Sequence, residues 1–364
     1  MKVLHVLNTG HRNFGGKERA TLDLVCGLRE AGVDAQLVCL RSGLTDALAA
    51  RLGIPVHVPE ARSPENIGLV FAVRRCIEAG GFDLVHTHDF RENAIGRLAA
   101  RLAGVPVVTT VHGLARLCFD MPVLKRYAYH ALDLLTARMS KRFIVLSEAD
   151  RGILGAAVPS DLVSVIPVAL KPPKIAGRRK RSTGEPMVFG AAGRLDRQKG
   201  FDILVRAAAD LLKGGADARF VLAGTGPRER ELKALIGDLG IADRFELLGF
   251  VEDMDGFFGA IDVFVLPSRT ERRPLALMEA LARGVFAIAA DVGAVGEMIE
   301  DGRTGLLVPP DDPDALARAM REVVRQPSLL ELAEPGRADL EAAFDRMVAR
   351  TIDIYREVLR AGRA

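Results

Sequence analysis

Pro267-Ser268-Arg269-Thr270-Glu271-Arg272-Arg273-Pro274-Leu275-Ala276-Leu277-Met278-Glu279-Ala280-Leu281-Ala282-Arg283-Gly284 stands directly after a short apolar run, residues 263–266, and carries two carboxylates 279 − 271 = 8 positions apart. The run has the length of a buried strand. Past Pro274 the apolar side chains recur at helical spacing, so the stretch predicts strand, loop, helix. In an open α/β sheet such a loop lies beyond the carboxyl end of its strand, where backbone N–H groups and the positive end of the next helix face a ligand. A diphosphate suits that position. Glu271 is expected on the loop and Glu279 about two turns along the helix, so the two cannot serve one ligand atom. A loop carboxylate can accept from sugar hydroxyls and a helix carboxylate from the pair on a ribose; capping or surface glutamates would leave the same letters.

Outward from this window the alternation repeats. Apolar runs at residues 187–191, 219–223, 245–248 and 286–289 each precede a turn and a helix-like segment. Runs at 3–7, 35–40, 84–86 and 105–111 follow the same pattern, with an amphipathic stretch at 18–31. Repeated strand–helix units imply parallel sheets. Between the two series lie Pro172-Pro173, Gly177, Gly184 and the run Arg178-Arg179-Lys180-Arg181, which break any periodicity as an exposed connector does. The expected organisation is α/β: a Rossmann-like domain at residues 1–170, a basic Pro/Gly linker at 171–186, a second Rossmann-like domain at 187–339, and a long amphipathic helix at 340–364. No strand follows that helix, so its apolar face is expected to pack across the domain junction.

Composition narrows the function. A chain of 364 residues, 49% hydrophobic, is large enough for two cores. Lys plus Arg (50) barely exceed Asp plus Glu (47), too small a surplus for general binding to nucleic acid. Cys26, Cys39, Cys76 and Cys118 form no Cys-x-x-Cys pair, which points away from a zinc site or a disulfide framework and toward a reducing cytoplasm. The start, Met1-Lys2-Val3-Leu4-His5-Val6-Leu7, reads as a first strand and not as a signal peptide. No apolar run approaches the roughly 18 residues of a membrane span.

Several loops could carry chemistry. Ala191-Ala192-Gly193-Arg194-Leu195-Asp196-Arg197-Gln198-Lys199-Gly200 follows a strand, and its cations could clamp a departing diphosphate, with Arg194 and Lys199 the candidates. A solvated basic turn is the plainer explanation. Asn8-Thr9-Gly10-His11-Arg12-Asn13-Phe14-Gly15-Gly16-Lys17-Glu18 meets neither the Gly-x-Gly-x-x-Gly nor the P-loop spacing, which disfavours hydride transfer. His86, His88 and His112 close strands and so face a ligand crevice, or else serve as hydrogen-bonded structural histidines. Asp253-Met254-Asp255 matches an Asp-x-Asp metal pattern, but such residues equally suit a loop leading into a helix, and no metal is expected. Lys125, Arg126, Arg138, Lys141 and Arg142 lie among Leu124, Tyr127, Leu132, Leu134 and Leu135. That mixture suits either a helix resting on anionic lipid or, as the expectation adopted, solvated charge around a stripe facing the core.

Taken together these motifs resemble the family-4 retaining glycosyltransferases of the GT-B fold, over most of the chain. The Glu271-x7-Glu279 window is the strongest element. Gly15-Gly16-x-Glu18, residues 83–88, His112-Gly113, Ser147-Glu148-Ala149, Gly193-Arg194-Leu195-x-x-x-Lys199-Gly200, Gly224-x-Gly226-Pro227, Gly249-Phe250-Val251, Pro267-Ser268 and Gly293…Glu297 follow in the family's order. The resemblance implies two Rossmann-like domains facing a cleft, the N-terminal one on the acceptor side and the C-terminal one binding the nucleotide sugar. It implies Arg194 and Lys199 on the donor diphosphate, Glu279 on the ribose, Glu271 on the transferred sugar and His112 on that sugar from the opposite domain. Gly15, Gly16, Gly193, Gly224, Gly226 and Phe250, and the backbone of Arg273, Pro274, Leu275 and Ala276, complete the donor site. No cofactor, metal or protein base is implied. The acceptor is a hydroxyl on a sugar, a lipid-linked carrier or another molecule, in bacterial-type glycoconjugate or polysaccharide assembly, with room for peripheral contact at the inner membrane face.

Two departures stand out. Relatives commonly read Ile-Pro-Asn-Gly-Val where this chain has Ile166-Pro167-Val168-Ala169-Leu170, and Arg272-Arg273 stand where relatives often place a glycine and an apolar residue. A nucleotide-sugar epimerase or hydrolase of similar architecture, or a silent nucleotide-sugar-binding protein, are the alternatives.

Overall fold

The computed structural model describes residues 1–7, 14–59, 68–88, 90–112, 122–154, 158–171, 182, 184–333 and 337–362. Most of the linker stretch, residues 8–13 of the first glycine loop, Gly113 and Cys118 lie outside them. Two units emerge: Met1–Ala169 with Ala342–Ala364, and Leu170–Glu341.

In the first unit β1 (Lys2–Leu7), α1 (Gly16–Glu30), β2 (Asp34–Cys39), α2 (Leu44–Arg51), β3 (Val56–His57), α3 (Gly68–Gly80), β4 (Leu84–His88), α4 (Phe90–Leu102), β5 (Val107–Val111), α5 (Val123–Ala137), β6 (Arg142–Val145), α6 (Glu148–Leu154) and β7 (Val163–Val165) alternate. Their strands form a parallel sheet ordered β3-β2-β1-β4-β5-β6-β7. Both faces are covered, which is why the strands read as unbroken apolar runs. The two-residue alternation sends Val3 and Leu7 of β1 to one core and Leu4 and Val6 to the other.

In the second unit β8 (Met187–Ala192), α7 (Phe201–Lys213), β9 (Ala218–Ala223), α8 (Glu229–Asp238), β10 (Phe245–Gly249), α9 (Met254–Ala260), β11 (Val263–Leu266), α10 (Leu275–Ala282), β12 (Phe286–Ala290), β13 (Gly305–Val308) and α11 (Pro313–Arg325) give a six-stranded parallel sheet, β10-β9-β8-β11-β12-β13. Val263 and Val265 of β11 face one core, Phe264 and Leu266 the other.

The last helix, α12 (Arg337–Ala361), returns to the first unit, where Phe344, Met347, Val348, Ile352, Tyr355 and Val358 join the core beneath β1. A Cβ on Gly27 of α1 would meet Val348 at 2.6 Å, so a bare backbone there lets α12 approach. The departure Val168-Ala169 is explained by the same packing: both are buried, and the Ala169 N–H lies 3.3 Å from the Met347 sulfur. One expectation fails. The apolar side chains of α5 point to solvent and not to the core, because a buried polar network claims the inner side of that helix. No described helix is long and apolar enough to cross a membrane.

Candidate active site

Each sheet reverses its strand order once: β1 next to β4 in the first unit, β8 next to β11 in the second. At such a switch point the loops leaving the two strands part and open a crevice at the carboxyl ends. The chemistry-bearing residues of each unit gather there.

In the second unit the loop after β8 carries Arg194 and Lys199, and the loop after β11 carries Glu271. Across the switch point Lys199 Nζ donates to Glu271 Oε1 at 2.6 Å, and the Ser268 hydroxyl donates to the same oxygen at 2.7 Å. Glu271 is buried, with a side chain 5% exposed, whereas Lys199 keeps 23% of its side chain in water. The carboxylate is thus held by two donors while the ammonium still reaches solvent. The pair is neutral as a whole, so Glu271 does not present a bare negative charge at this position.

Backbone contacts fix the loops to each other. Arg269 N–H donates to the Gln198 carbonyl at 2.8 Å and the Gln198 amide to the Thr270 carbonyl at 3.0 Å. Lys199 N–H is tied to Asp196 at 3.1 Å. Arg269 grips both oxygens of Asp202 at 2.9 and 2.8 Å, and Arg228 reaches the same carboxylate at 3.0 Å. Burial pushes the Asp202 carboxyl up, but the Arg269 hydrogen bonds and the charges of Arg269 and Arg228 outweigh it and bring it to about 2. That carboxylate is permanently charged and serves the frame.

Close backbone approach needs glycine at several points of these loops. A Cβ on Gly224, at φ +140°, would sit 1.9 Å from the Gly193 carbonyl oxygen, and one on Gly293, at φ +59°, would sit 2.0 Å from the Glu271 carbonyl oxygen. Gly193, Gly224 and Gly226 therefore stack the loops after β8 and β9, with Leu195 N–H donating to the Thr225 carbonyl at 3.0 Å. Phe250 directly follows β10 and is half-buried. Arg194 is more exposed than Lys199: 41% of its side chain meets solvent, and its Nε lies 3.7 Å from Asp196. Arg273 is exposed, Arg272 half-buried and Pro274 buried.

Pro274 is the N-cap of α10, and no side chain caps that end, leaving first-turn N–H groups including those of Leu275 and Ala276 to serve an anion. Because Pro274 starts the helix late, Glu279 lies about one turn in rather than two. It is buried, and its carbonyl accepts from Arg283 Nη1 at 2.8 Å. The Asp-x-Asp pair is committed elsewhere: Asp253 caps α9 through Gly256 N–H at 2.9 Å, and Asp255 pairs with Arg283.

In the first unit Gly15 is the N-cap of α1, its N–H donating to Glu18 at 3.0 Å, and Gly16 opens the helix. Lys17 reaches the buried Glu92 at 2.9 Å. His112, half-buried at the end of β5, heads a chain of rings: its Nε2 is 3.2 Å from His88 Nδ1, and His88 Nε2 is 2.9 Å from His5 Nδ1. His86, in register with His5, is held by Tyr355 Oη at 2.6 Å and Thr110 Oγ1 at 2.7 Å. His5, His86 and His88 place ring nitrogens within 4.8 Å of one another, the nearness of a ligand set; both nitrogens of His86 and of His88 and the Nδ1 of His5 are spent on hydrogen bonds, and His5 Nε2 is buried with no hydrogen-bond partner among the described residues. Burial lowers all three, His5 to about 3, and the neighbouring rings lower His86 and His88 further. They are neutral at physiological pH. Each bridge then holds one proton, so the tautomer of His5 sets that of His88, and His88 that of His112. His88, His112, Thr21, Leu24, Thr110 and Met347 line a mainly apolar recess of this unit.

His5 and Tyr355 were not singled out in the sequence. A histidine inside an otherwise apolar parallel strand, facing a His-x-His end, was the available signal for the first; the tyrosine sits in an ordinary amphipathic pattern.

The fold is that of an α/β protein of two Rossmann-like units, each with a crevice at its switch point. Residues 14–171 match the family described as Glycosyltransferase Family 4, and residues 186–326 that described as Glycosyl transferases group 1. The chain is 28% identical over 369 residues to the UDP-Gal:alpha-D-GlcNAc-diphosphoundecaprenol alpha-1,3-galactosyltransferase of Escherichia coli, covering 94% of each. It is 31% identical over 315 residues to a D-inositol 3-phosphate glycosyltransferase of Streptomyces avermitilis, covering 78% of this chain and 67% of that one. Among solved structures, Anabaena HepE in complex with UDP-glucose superposes with a TM-score of 0.80 at 22% identity, over 97% of this chain and 99% of that one. The chain belongs to the family-4 glycosyltransferases and has the GT-B fold.

Proposed function

We propose that this glycosyltransferase takes a sugar from a nucleotide-diphosphate donor and passes it, with retention of anomeric configuration, to an acceptor hydroxyl in glycoconjugate or polysaccharide assembly in the cytoplasm. The observation that carries this is the Lys199–Glu271 contact across the switch point of the second unit, beside the uncapped start of α10. The donor diphosphate lies against Lys199, Arg194 and the N–H groups from Arg273 to Ala276. Glu279 accepts from the ribose and Glu271 from the transferred sugar. Gly193, Gly224, Gly226 and Phe250 shape the nucleotide pocket. His112, with Gly15 and Gly16, serves from the first unit, which also takes the acceptor.

In the reaction the bond from the anomeric carbon to the diphosphate oxygen breaks, the acceptor oxygen bonds to that carbon on the same face, and the acceptor proton passes to the departing phosphate. Lys199 and Arg194 stabilise the charge that develops, so neither a metal nor a protein base is needed. The Escherichia coli relative is named for a UDP-sugar donor and a lipid diphosphate acceptor, which supports a donor and acceptor of those classes here. That the relatives reported are transferases favours transfer over epimerisation, hydrolysis or silent binding.

A panel of nucleotide sugars, screened by protection against thermal unfolding and then offered with acceptors, tests this. Acceptor-dependent transfer giving a product of the donor's own anomeric configuration is the expected result. An inverted product, or donor consumption without acceptor, would overturn it.

A further inference from the structure

Six of the thirteen large hydrophobic side chains exposed among the described residues lie on α5: Val123, Leu124, Tyr127, Leu132, Leu134 and Leu135, with Leu124 84% and Leu135 76% exposed. At helical spacing they fall with the exposed Ala128 and Ala131 on one arc of about 180°. The opposite side of the helix is polar and turned inward. Asp133 accepts from Arg97 Nη1 at 2.7 Å and from the Asn93 amide at 3.0 Å, and Thr136 Oγ1 accepts from Arg97 at 3.2 Å. Arg97 is 1% exposed.

A surface helix ordinarily buries its apolar stripe and shows its charges. Here the polarity is reversed. Breaking the Arg97–Asp133 pair would strand a buried guanidinium, so the helix is locked with its leucines outward. An outward apolar arc on this scale marks an interaction surface.

Charge decides the partner. Asp133 is the one acidic residue of α5 and it faces inward, while Arg138 at its C-terminal end and Lys141 just beyond are exposed. The outer face is leucine-rich with a tyrosine and bordered by cations, the chemistry that inserts at the headgroup level of an anionic bilayer.

We propose that α5 docks this enzyme on an anionic phospholipid surface, with Leu124, Tyr127 and Leu135 entering the interface and Arg138 and Lys141 resting on the headgroups. The docking is separate from the transfer reaction and is measured without donor.

The test is co-sedimentation of the full chain with vesicles of phosphatidylglycerol mixed into phosphatidylcholine, against vesicles of phosphatidylcholine alone. The intact protein is expected to partition onto the anionic vesicles, less so as salt rises, and L124S/L135S to lose on the order of tenfold or more of that binding. Both side chains are exposed, so the variant is expected to keep the parent's thermal midpoint, and an R138E/K141E pair provides a second, charge-based loss. No partition by the intact protein, or undiminished partition by both variants, would overturn the proposal. So would self-association without vesicles that L124S/L135S abolishes, which would assign the face to a second copy of the chain.

Discussion

Replacing Lys199 by Met tests the centre of the second unit most directly. The substitution keeps the length of the side chain and removes the ammonium, leaving Glu271 with Ser268 as its remaining named donor at 2.7 Å. A hydrogen bond to a charged group contributes about 1.5–3 kcal/mol. Lys199 is 23% exposed, so water replaces only part of the loss, and a fall of about 2 kcal/mol in unfolding free energy is expected. Glu271→Gln in the same background relieves the stranded charge, so the Lys199→Met cost should shrink there, giving a coupling of about 1–2 kcal/mol. Urea unfolding followed by circular dichroism measures all four chains of the cycle. Turnover should fall on the order of 100-fold, because charge developing on the departing diphosphate loses its partner. Wild-type stability together with wild-type turnover in Lys199→Met would refute the reasoning, and equal costs in the two backgrounds would refute the pairing.

Other outcomes are expected on the same grounds. The histidines His5, His86 and His88 have folded values below the usual 6.5, so protonation favours the unfolded chain. Their contribution is complete above about pH 6.5 and is lost as pH falls toward about 3, the folded value of His5. Stability against urea should therefore drop between pH 6.5 and 5, and His5→Gln should flatten that slope; an unchanged slope would contradict it. Gly293→Ala places a methyl 2.0 Å from the Glu271 carbonyl at φ +59°, so it should cost more than about 2 kcal/mol and weaken donor binding, read by unfolding and calorimetry. Because Asp253 and Asp255 are committed to a helix cap and to Arg283, exhaustive chelation should leave turnover unchanged; a loss that added manganese restores would count against metal independence.

Much of the architecture was legible because parallel strands covered on both faces are written as short apolar runs. β1, β2, β4, β5 and β8 to β12 each fall on such a run. The strands not read are short or interrupted: β3 has two residues, β7 three, β6 opens on Arg142 within a basic stretch, and β13 opens on Gly305. Arg194, Lys199, Glu271 and Glu279 were visible as residue types after strands. That Lys199 meets Glu271 was not, since their contact depends on β8 lying beside β11, a fact of strand order and not of spacing. The histidine chain is hidden for the same reason, as it joins β1, β4 and β5. For α5 the periodic pattern was correct and its direction was not, because Arg97, which decides it, is 36 residues away from Asp133 along the chain.

The return of α12 to the first unit has a consequence for how the protein is made. Residues 170–341 are an insertion within the unit that begins at Met1, and that unit's core stays open on the β1 side until Phe344, Met347, Val348 and Tyr355 arrive. During synthesis the unit of residues 170–341 is thus the first able to finish folding, and the amino-terminal one waits until the segment that carries α12 has emerged. Removing α12 would leave His86 without its tyrosine and an apolar face bare, a defect of birth rather than of catalysis.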